Sequence, residues 1–369
     1  MKNTFCGRSF LRAAILFVGL LVSLGAVKPV FALEDDGRPY VDFARKISSE
    51  ADNGYVPLVI NAYDTHALNI LTNYLAKMER TSDSGVSGAQ CAAFHDRSTN
   101  DRLIDIRYAL GYFDDSTGLS FQWAGYDWGK SVSLDEGVWM AVRTLLMSSC
   151  ANGSRRLCEF KELTSASDRL RNGETVLTRS MNVHGQSVEV RVTLTHASAS
   201  PFYERNRGPL RAKQERYTRV SEENFFGGLR SADYVFYMGH ARNGGGPDFN
   251  PPRLMANGKP NYLGYYRKAY PGISRMTKEI KSSGNKNVTL GLFACDSKLH
   301  FHRRLLANNK NQSMILTLGG EGMLDYTDTM MVSIGYLEGL LRGGCGAGLD
   351  QFARVTARER AAYQQYNVK

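Results

Sequence analysis

Three apolar runs in the second half of the chain constrain its fold most strongly. They are Tyr234–Met238, residues 288–294 and Met314–Leu318, and the last two each contain a single Thr. A strand that does not alternate apolar and polar residues is buried on both faces, as in parallel sheets that helices cover on each side. Helical stretches separate the runs, and the last helix begins near Met330. This order of strands and helices predicts a doubly wound α/β arrangement.

The first half of the chain also has an α/β pattern, but it carries no recognisable chemical motif. Residues 103–113 and 118–128 have the composition of strands. Ser133 and Glu136 form a capping box that opens a helix ending near Cys150. We therefore expect this half to be an α/β region of unknown role.

A predicted hairpin marks the passage between the two halves. Its arms are 175–181 and 187–196, and the second arm alternates strictly between apolar and polar residues. The length of 369 residues favours two domains. We place the N-terminal region at 33–175 and the second domain at 176–369.

The first 32 residues have the pattern of a secretory signal peptide. An apolar run at 13–27 is followed by the small-residue string Val30-Phe31-Ala32, which suits a signal peptidase. An uncleaved membrane anchor is the alternative, but Lys28-Pro29 interrupts a run that is too short to span a bilayer. We expect an exported protein, periplasmic or secreted, with no stable membrane anchor after cleavage. The basic residues that precede the run are Lys2, Arg8 and Arg12.

The net charge does not indicate a nucleic-acid partner. The formal charge is +10, and residues 1–32 contain four Lys or Arg and no acidic residue, so the charge after cleavage is +6. This surplus is modest, and we interpret it as a mildly basic surface.

Five cysteines follow the predicted signal peptide, and they are Cys91, Cys150, Cys158, Cys295 and Cys345. Export implies an oxidising compartment in which structural thiols pair, and an odd number leaves one over. Cys150 and Cys158 bracket a short polar stretch and are predicted to form a local disulfide. Cys91 has no obvious partner in the sequence.

Two chemically active residues stand at the ends of apolar runs. The first run continues into Gly239-His240, and the second ends in Ala294-Cys295, 55 positions later. Functional residues of α/β sheets gather past the carboxyl ends of strands. A histidine beside a cysteine promotes the thiolate that attacks a carbonyl. Taken singly, each is more often structural: a small buried cysteine or a hydrogen-bonded histidine.

An apolar strand ending in Gly-His, followed about 50 residues later by one ending in Ala-Cys, resembles the caspase, gingipain, legumain and clostripain superfamily of cysteine peptidases. The resemblance covers roughly 186–369 and not the N-terminal half. It implies a caspase-like α/β/α sandwich with a mostly parallel sheet. It also implies that His240 is the catalytic histidine, that Cys295 is the nucleophile, and that the partner is a protein or peptide substrate with no cofactor.

The resemblance also implies an oxyanion site made of backbone N–H groups. These would belong to Cys295 and to Gly239 or Ala241. The family usually has Gly where this chain has Ala241, and Ala would be strained there if the position required a positive φ. Phe293 and Asp296 replace residues of the caspase string around the cysteine, so aspartate specificity is not expected.

Candidate substrate-binding residues lie in the loop after His240 and in the loop after Met314–Leu318. The candidates are Arg242, Asp248, Glu321 and Asp325. A buried carboxylate at the pocket floor would favour a basic residue at P1. The glycine-rich loop that follows Arg242 would cover the cleft, although a plain surface turn is the alternative.

The basic run at 205–219 allows two interpretations. It is either an exposed loop that could be a self-cleavage site, or a solvated loop and helix start. A metal site at His300-Phe301-His302 is not expected, because no third ligand is evident.

Two functions from different classes fit these patterns. The first is a thiol endopeptidase that uses His240 and Cys295. The second is a catalytically inactive caspase-like interaction module, which Ala241 would favour. The sequence leaves the physiological substrate and the oligomeric state open.

Overall fold

The computed structural model describes the chain in segments. The described residues are 91–92, 95–96, 100–112, 122–123, 126–127, 134–150, 155–183, 185–200, 203–283, 288–308, 314–318, 326–353 and 363–367. The predicted signal peptide and the candidate residues Glu321 and Asp325 lie outside these described residues.

In the described part of the chain, eight strands form one sheet and two short strands form a separate hairpin. The strands are β1 (Leu103–Leu110), β2 (Gln122–Trp123), β3 (Tyr126–Asp127), β4 (Lys161–Glu162), β5 (Glu174–Val183), β6 (Gln186–His196), β7 (Tyr234–Met238), β8 (Thr289–Phe293), β9 (Met314–Leu318) and β10 (Tyr363–Asn367). β2 and β3 are the separate pair.

From edge to edge, the large sheet runs β10-β9-β8-β7-β1-β6-β5-β4. The strands β6, β1, β7, β8 and β9 are mutually parallel. β10 is antiparallel to β9, and β5 is antiparallel to β6. The prediction of a mostly parallel α/β sheet is therefore confirmed. The chain adds β6 on one side of β1 and then adds β7, β8 and β9 on the other.

The helices cover this sheet. They are α1 (Leu134–Met147), α2 (Ala166–Asn172), α3 (Tyr203–Arg207), α4 (Arg211–Glu222), α5 (Gly228–Ser231), α6 (Arg267–Ala269), α7 (Pro271–Ser282), α8 (Arg303–Asn308), α9 (Tyr326–Leu341) and α10 (Asp350–Ala353). Single π-helical turns occupy Glu223–Gly227, Tyr262–Tyr266 and Lys298–His302, and 3-10 turns occupy Arg242–Gly244 and Gly346–Leu349.

Two hydrophobic cores, one on each face of the sheet, give three layers. Alternate residues of β7 point to opposite faces: Phe236 enters one core and Val235 the other. The first core packs the sheet against α1, α9 and α10. The second packs it against the π-helical turn after α4 and against α5, α7 and α8. Because both faces are covered, every residue of β7 and β8 is buried, as the apolar runs predict.

The predicted boundary after residue 175 does not separate two sheets. β1, from the region assigned to the N-terminal half, lies between β6 and β7 and pairs with both. The boundary also falls inside β5. The sequence does not reveal that the two regions share one sheet, because strands that are parallel neighbours need not be neighbours in sequence.

The hairpin prediction is confirmed, whereas the loop interpretation of the basic run is wrong. β5 and β6 pair as antiparallel arms. All six Lys and Arg residues at 205–219 lie in α3 or α4. A peptidase binds its substrate in an extended conformation, which a peptide bond inside a helix does not have. The helical structure therefore argues against self-cleavage in this run.

Two disulfides hold four of the five described cysteines. Cys150 pairs with Cys158, with Cα atoms 5.3 Å apart. Cys91, for which the sequence offered no partner, pairs with Cys345, and the Cα separation is 5.4 Å. Cys295 is outside both bonds and partly exposed. None of the helices within the described residues has the length and apolar content to cross a membrane.

Candidate active site

The pairing of β7 with β8 brings His240 and Cys295 to matching positions. The last pair of the ladder is Met238 with Phe293, and the Gly239 N–H extends it by donating to the Phe293 carbonyl at 3.1 Å. His240 and Cys295 each follow this pair by two residues. Neighbouring strands lie about 4.8 Å apart, so the two residues emerge side by side from the carboxyl edge of the sheet. Both are partly exposed.

This edge lies beside the point where the order of strand addition reverses. The chain adds β6 on one side of β1, and the connection from β6 then crosses to β7 on the other side, so the direction of strand addition reverses between β1 and β7. Such a switch leaves a crevice outside the carboxyl ends of the strands, where α/β proteins bind ligands. His240 follows β7, one of the two strands at the switch.

The Tyr237 hydroxyl fixes the chain that carries His240. It donates to the His240 carbonyl at 2.9 Å and accepts from the Asp248 N–H at 3.2 Å. It therefore ties together both ends of the loop after His240. Gly111 and Gly239 flank this hydroxyl, and a Cβ at either position would come within 2.5 Å of it. Sequence reasoning missed this role of Tyr237, although two glycines at the ends of neighbouring strands were a visible signal.

The backbone at Ala241 is unstrained. Its φ is −70° and its ψ is −13°, in the ordinary helical region. The positive φ values come next, at Arg242 (49°), Asn243 (52°) and Gly244 (87°). The concern that this chain needs Gly directly after its histidine is therefore removed.

Arg242 and Asp248 pair with each other inside the protein. Arg242 is 1% exposed, and its Nε donates to an Asp248 carboxylate oxygen at 3.2 Å. Its Nη2 donates to the Tyr112 carbonyl at 2.9 Å, and its guanidinium faces the Tyr266 ring at 5.7 Å. The two charges compensate each other, so Asp248 does not supply a charged floor for a basic substrate side chain. Arg242 is engaged in these buried contacts and is not exposed for substrate binding.

The two amides proposed beside His240 differ in availability. The Gly239 N–H already donates to Phe293, as described above, so Gly239 is not an oxyanion donor in this arrangement. Ala241 remains the candidate on the histidine side, and Cys295 remains the candidate on the other.

The chain turns sharply after Cys295. Asp296 has a φ of 48°. The buried Ser297 closes the turn, because its N–H donates to the Ala294 carbonyl at 3.2 Å and its hydroxyl donates to the Leu292 carbonyl at 2.8 Å. The turn ends β8 directly beneath Cys295 and keeps this residue at the edge of the sheet.

His300 contacts the loop that follows His240. A Cβ on Gly244 would lie 3.3 Å from His300 Nδ1. The His300 N–H donates to the Asp296 carbonyl at 3.0 Å. Burial and the charge of Arg267 lower the pKa of His300, while Asp296 opposes this. Among the described residues, no group of three His, Cys, Asp or Glu side chains could hold a metal ion.

Comparisons with known proteins find no match for this chain among protein-family models, curated proteins or solved structures.

Proposed function

We propose that the chain is a cysteine peptidase of the caspase and gingipain type, with His240 and Cys295 as its catalytic pair. The register of β7 and β8 carries this proposal, because it brings both residues to the same edge of the sheet beside the crevice. Cys295 is also the described cysteine that keeps its thiol while the other four are in disulfides. A nucleophile must stay reduced, whereas a structural cysteine in an oxidising compartment usually does not.

The proposed reaction proceeds in two stages. His240 takes the thiol proton, and the Cys295 Sγ attacks the substrate carbonyl. The N–H groups of Cys295 and Ala241 stabilise the resulting oxyanion. The C–N bond then breaks, the leaving amine receives the proton from His240, and a thioester remains. Water, deprotonated by His240, hydrolyses this thioester and restores the thiol.

The preference for a basic P1 residue stays a prediction with a narrower basis. Asp248 is neutralised by Arg242. The preference therefore depends on Glu321 and Asp325, which lie outside the described residues.

The inactive interaction module loses the observation that favoured it. Its support was Ala241, and the φ of −70° there leaves no backbone conflict with a working site. The peptidase is thus the better supported of the two functions.

Export is part of the proposal. The signal-like residues 1–32 and two disulfides in the described structure support an oxidising destination, periplasmic or extracellular.

The test is peptide hydrolysis by the full-length chain over a mixed peptide library. We expect Cys295→Ala to abolish hydrolysis, and His240→Ala to lower it by at least about a hundredfold. His302→Ala is the matched control, since this histidine lies beyond the turn that carries Cys295, and it should keep activity within about twofold. Circular dichroism would verify that each variant folds. Full activity in Cys295→Ala would end the proposal.

A further inference from the structure

The positive charge of the chain is concentrated in one segment. Residues 251–308 contain 11 Lys or Arg and only two acidic residues, Glu279 and Asp296. Their net charge is therefore +9, out of +10 for the whole chain. The surplus of the whole chain is modest, but it is carried by this segment.

Several of these cations form a surface that we call the cationic rim. It comprises the exposed residues Arg253, Arg267, Lys268, Arg303 and Arg304. Arg253 stacks on the Tyr265 ring at 4.0 Å, and Arg304 stacks on the Tyr270 ring at 3.8 Å. Stacking restricts the side chains while their guanidinium groups stay accessible, so less entropy is lost when they bind a carboxylate.

The cationic rim adjoins the candidate active site. A Cβ on Gly244, in the loop after His240, would lie 3.3 Å from Tyr270 Cε1 and 3.3 Å from His300 Nδ1. Tyr270 carries Arg304. Arg267 is close enough to His300 for its charge to act on that imidazole. The rim thus begins where the loops after β7 and β8 meet.

Within the described residues, the rim cations are not held in ion pairs with carboxylates. None of its five cations takes part in a salt bridge there. Glu279, which lies in the same segment, pairs instead with Arg230, which is outside the rim. Clustered cations repel one another, and such a cluster without carboxylate partners is a typical binding surface for anionic groups.

Exposed apolar side chains lie in the same segment. Leu299 is 78% exposed, Leu263 46% and Met255 42%. Exposed leucines beside arginines suit a polypeptide, which offers both apolar and acidic side chains, better than they suit a uniformly charged polymer.

We infer that the cationic rim binds acidic side chains of a polypeptide substrate on residues that flank the scissile bond. This inference rests on the proposed peptidase function. Arginine forks match carboxylates with two parallel hydrogen bonds. The position of the rim beside His240 and Cys295 favours a polypeptide over nucleic acid or membrane, since a polypeptide must lie across these two residues.

Binding to the full-length Cys295→Ala protein tests the inference without turnover. The probes are a fluorescent Glu-rich peptide and its counterpart with Gln at every Glu. We expect the Glu-rich peptide to bind at least about tenfold tighter at low salt, with a smaller ratio at high salt. The double variant Arg267→Gln with Arg304→Gln should remove most of this preference. Arg207→Gln is the matched control, because Arg207 also stacks on a tyrosine, Tyr203 at 5.0 Å, but lies outside the segment.

Equal binding of the two peptides, or an unchanged preference in the double variant, would overturn the inference. So would a single-stranded oligonucleotide or an anionic vesicle that binds tighter than the Glu-rich peptide through the same arginines. Failure of the proposed function gives a different result, namely no hydrolysis of any library peptide by the unmodified chain. The two failures are therefore distinguishable.

Discussion

At the scale of single residues, Tyr237 shows how an apolar strand can position a polar site. Its ring lies in the second core, near the rings of Phe225 and Phe249. Its hydroxyl reaches the edge of the sheet and holds the His240 carbonyl and the Asp248 N–H. The ring is thus anchored by packing, and the hydroxyl transmits that rigidity to the loop.

Replacing Tyr237 with Phe tests this positioning role. The Asp248 N–H would lose its acceptor inside the protein, so the free energy of unfolding should fall by about 1–2 kcal/mol. The backbone at His240 would also lose a tether, and we expect kcat to fall by about tenfold with KM nearly unchanged. Urea unfolding and steady-state kinetics measure the two effects. Tyr265→Phe is the control, and an unchanged kcat in Tyr237→Phe would refute the role.

His196 is a buried histidine with a measurable consequence for stability. The His196 ring packs against the aromatic rings of Trp139 and Tyr217, whose centroids are 4.6 and 5.1 Å away. Burial, with a smaller effect from Lys213, lowers the pKa of His196 to about 3. The unfolded chain binds a proton near pH 6.5. The stability that the neutral imidazole contributes is therefore present above about pH 6.5 and is lost as the pH falls toward 3.

We expect unfolding free energies of the wild-type chain and of His196→Gln to converge as the pH falls. From pH 7 to pH 4.5, the wild-type chain should lose about 2–3 kcal/mol more than the variant. Glu136 and Asp233, whose pKa values burial raises to about 8 and about 7, act in the opposite direction, but they are present in both proteins. Urea titrations at the two pH values give the difference. Parallel pH profiles would show that His196 does not titrate as described.

The positions of His240 and Cys295 after two neighbouring strands could be predicted from the sequence, but the pairing of Arg242 with Asp248 could not. The first prediction needs only strand ends, which apolar runs reveal. The second depends on a loop that folds back under its own strand and reaches Tyr112 after β1. No periodic signal marks such a contact, so the sequence alone favours substrate binding as the role of the two charges.

At the scale of elements, the parallel strands were predictable and their neighbours were not. β7 and β8 are recognisable in the sequence as apolar runs, and both are buried along their whole length. β1 was recognised as a strand, but its place between β6 and β7 was not. Insertion of one strand between two later ones leaves no local trace in the sequence, because it is decided by packing of distant segments.

The long-range disulfide fastens one of these distant segments. Cys91 and Cys345 are 254 positions apart, whereas Cys150 and Cys158 are eight apart. Beside the long-range bond, the buried His95 ring contacts the Gly344 carbonyl at 2.9 Å and the Tyr234 hydroxyl at 2.9 Å. The disulfide therefore joins the segment before β1 to the chain after α9, and the His95 ring joins the same segment to the start of β7.

Removing each disulfide in turn should have unequal effects. We expect the Cys91→Ala, Cys345→Ala double variant to lose about 3–5 kcal/mol of unfolding free energy, because it releases the longer loop in the unfolded state. The Cys150→Ala, Cys158→Ala variant should lose less, about 2 kcal/mol. Urea unfolding of both proteins gives the comparison. A larger loss from the local bond would contradict this account.

At the scale of the whole molecule, three features meet at one edge of the sheet. The strand order changes direction there, His240 and Cys295 emerge there, and the cationic rim begins there. Core packing on both faces leaves this edge as the place where polar side chains can act. The fold class followed from the sequence because it depends on apolar periodicity. The rim did not, since it becomes a surface only when loops after different strands come together.

The central claim is that His240 activates Cys295, and the alkylation rate of Cys295 tests it most directly. The full-length chain and its His240→Ala variant would be treated with iodoacetamide at pH 6, and the modified peptide would be quantified by mass spectrometry. A neighbouring imidazole maintains the reactive thiolate at this pH. The account predicts that Cys295 of the unmodified chain reacts at least about tenfold faster than Cys295 of the variant. Equal rates in the two proteins would contradict it.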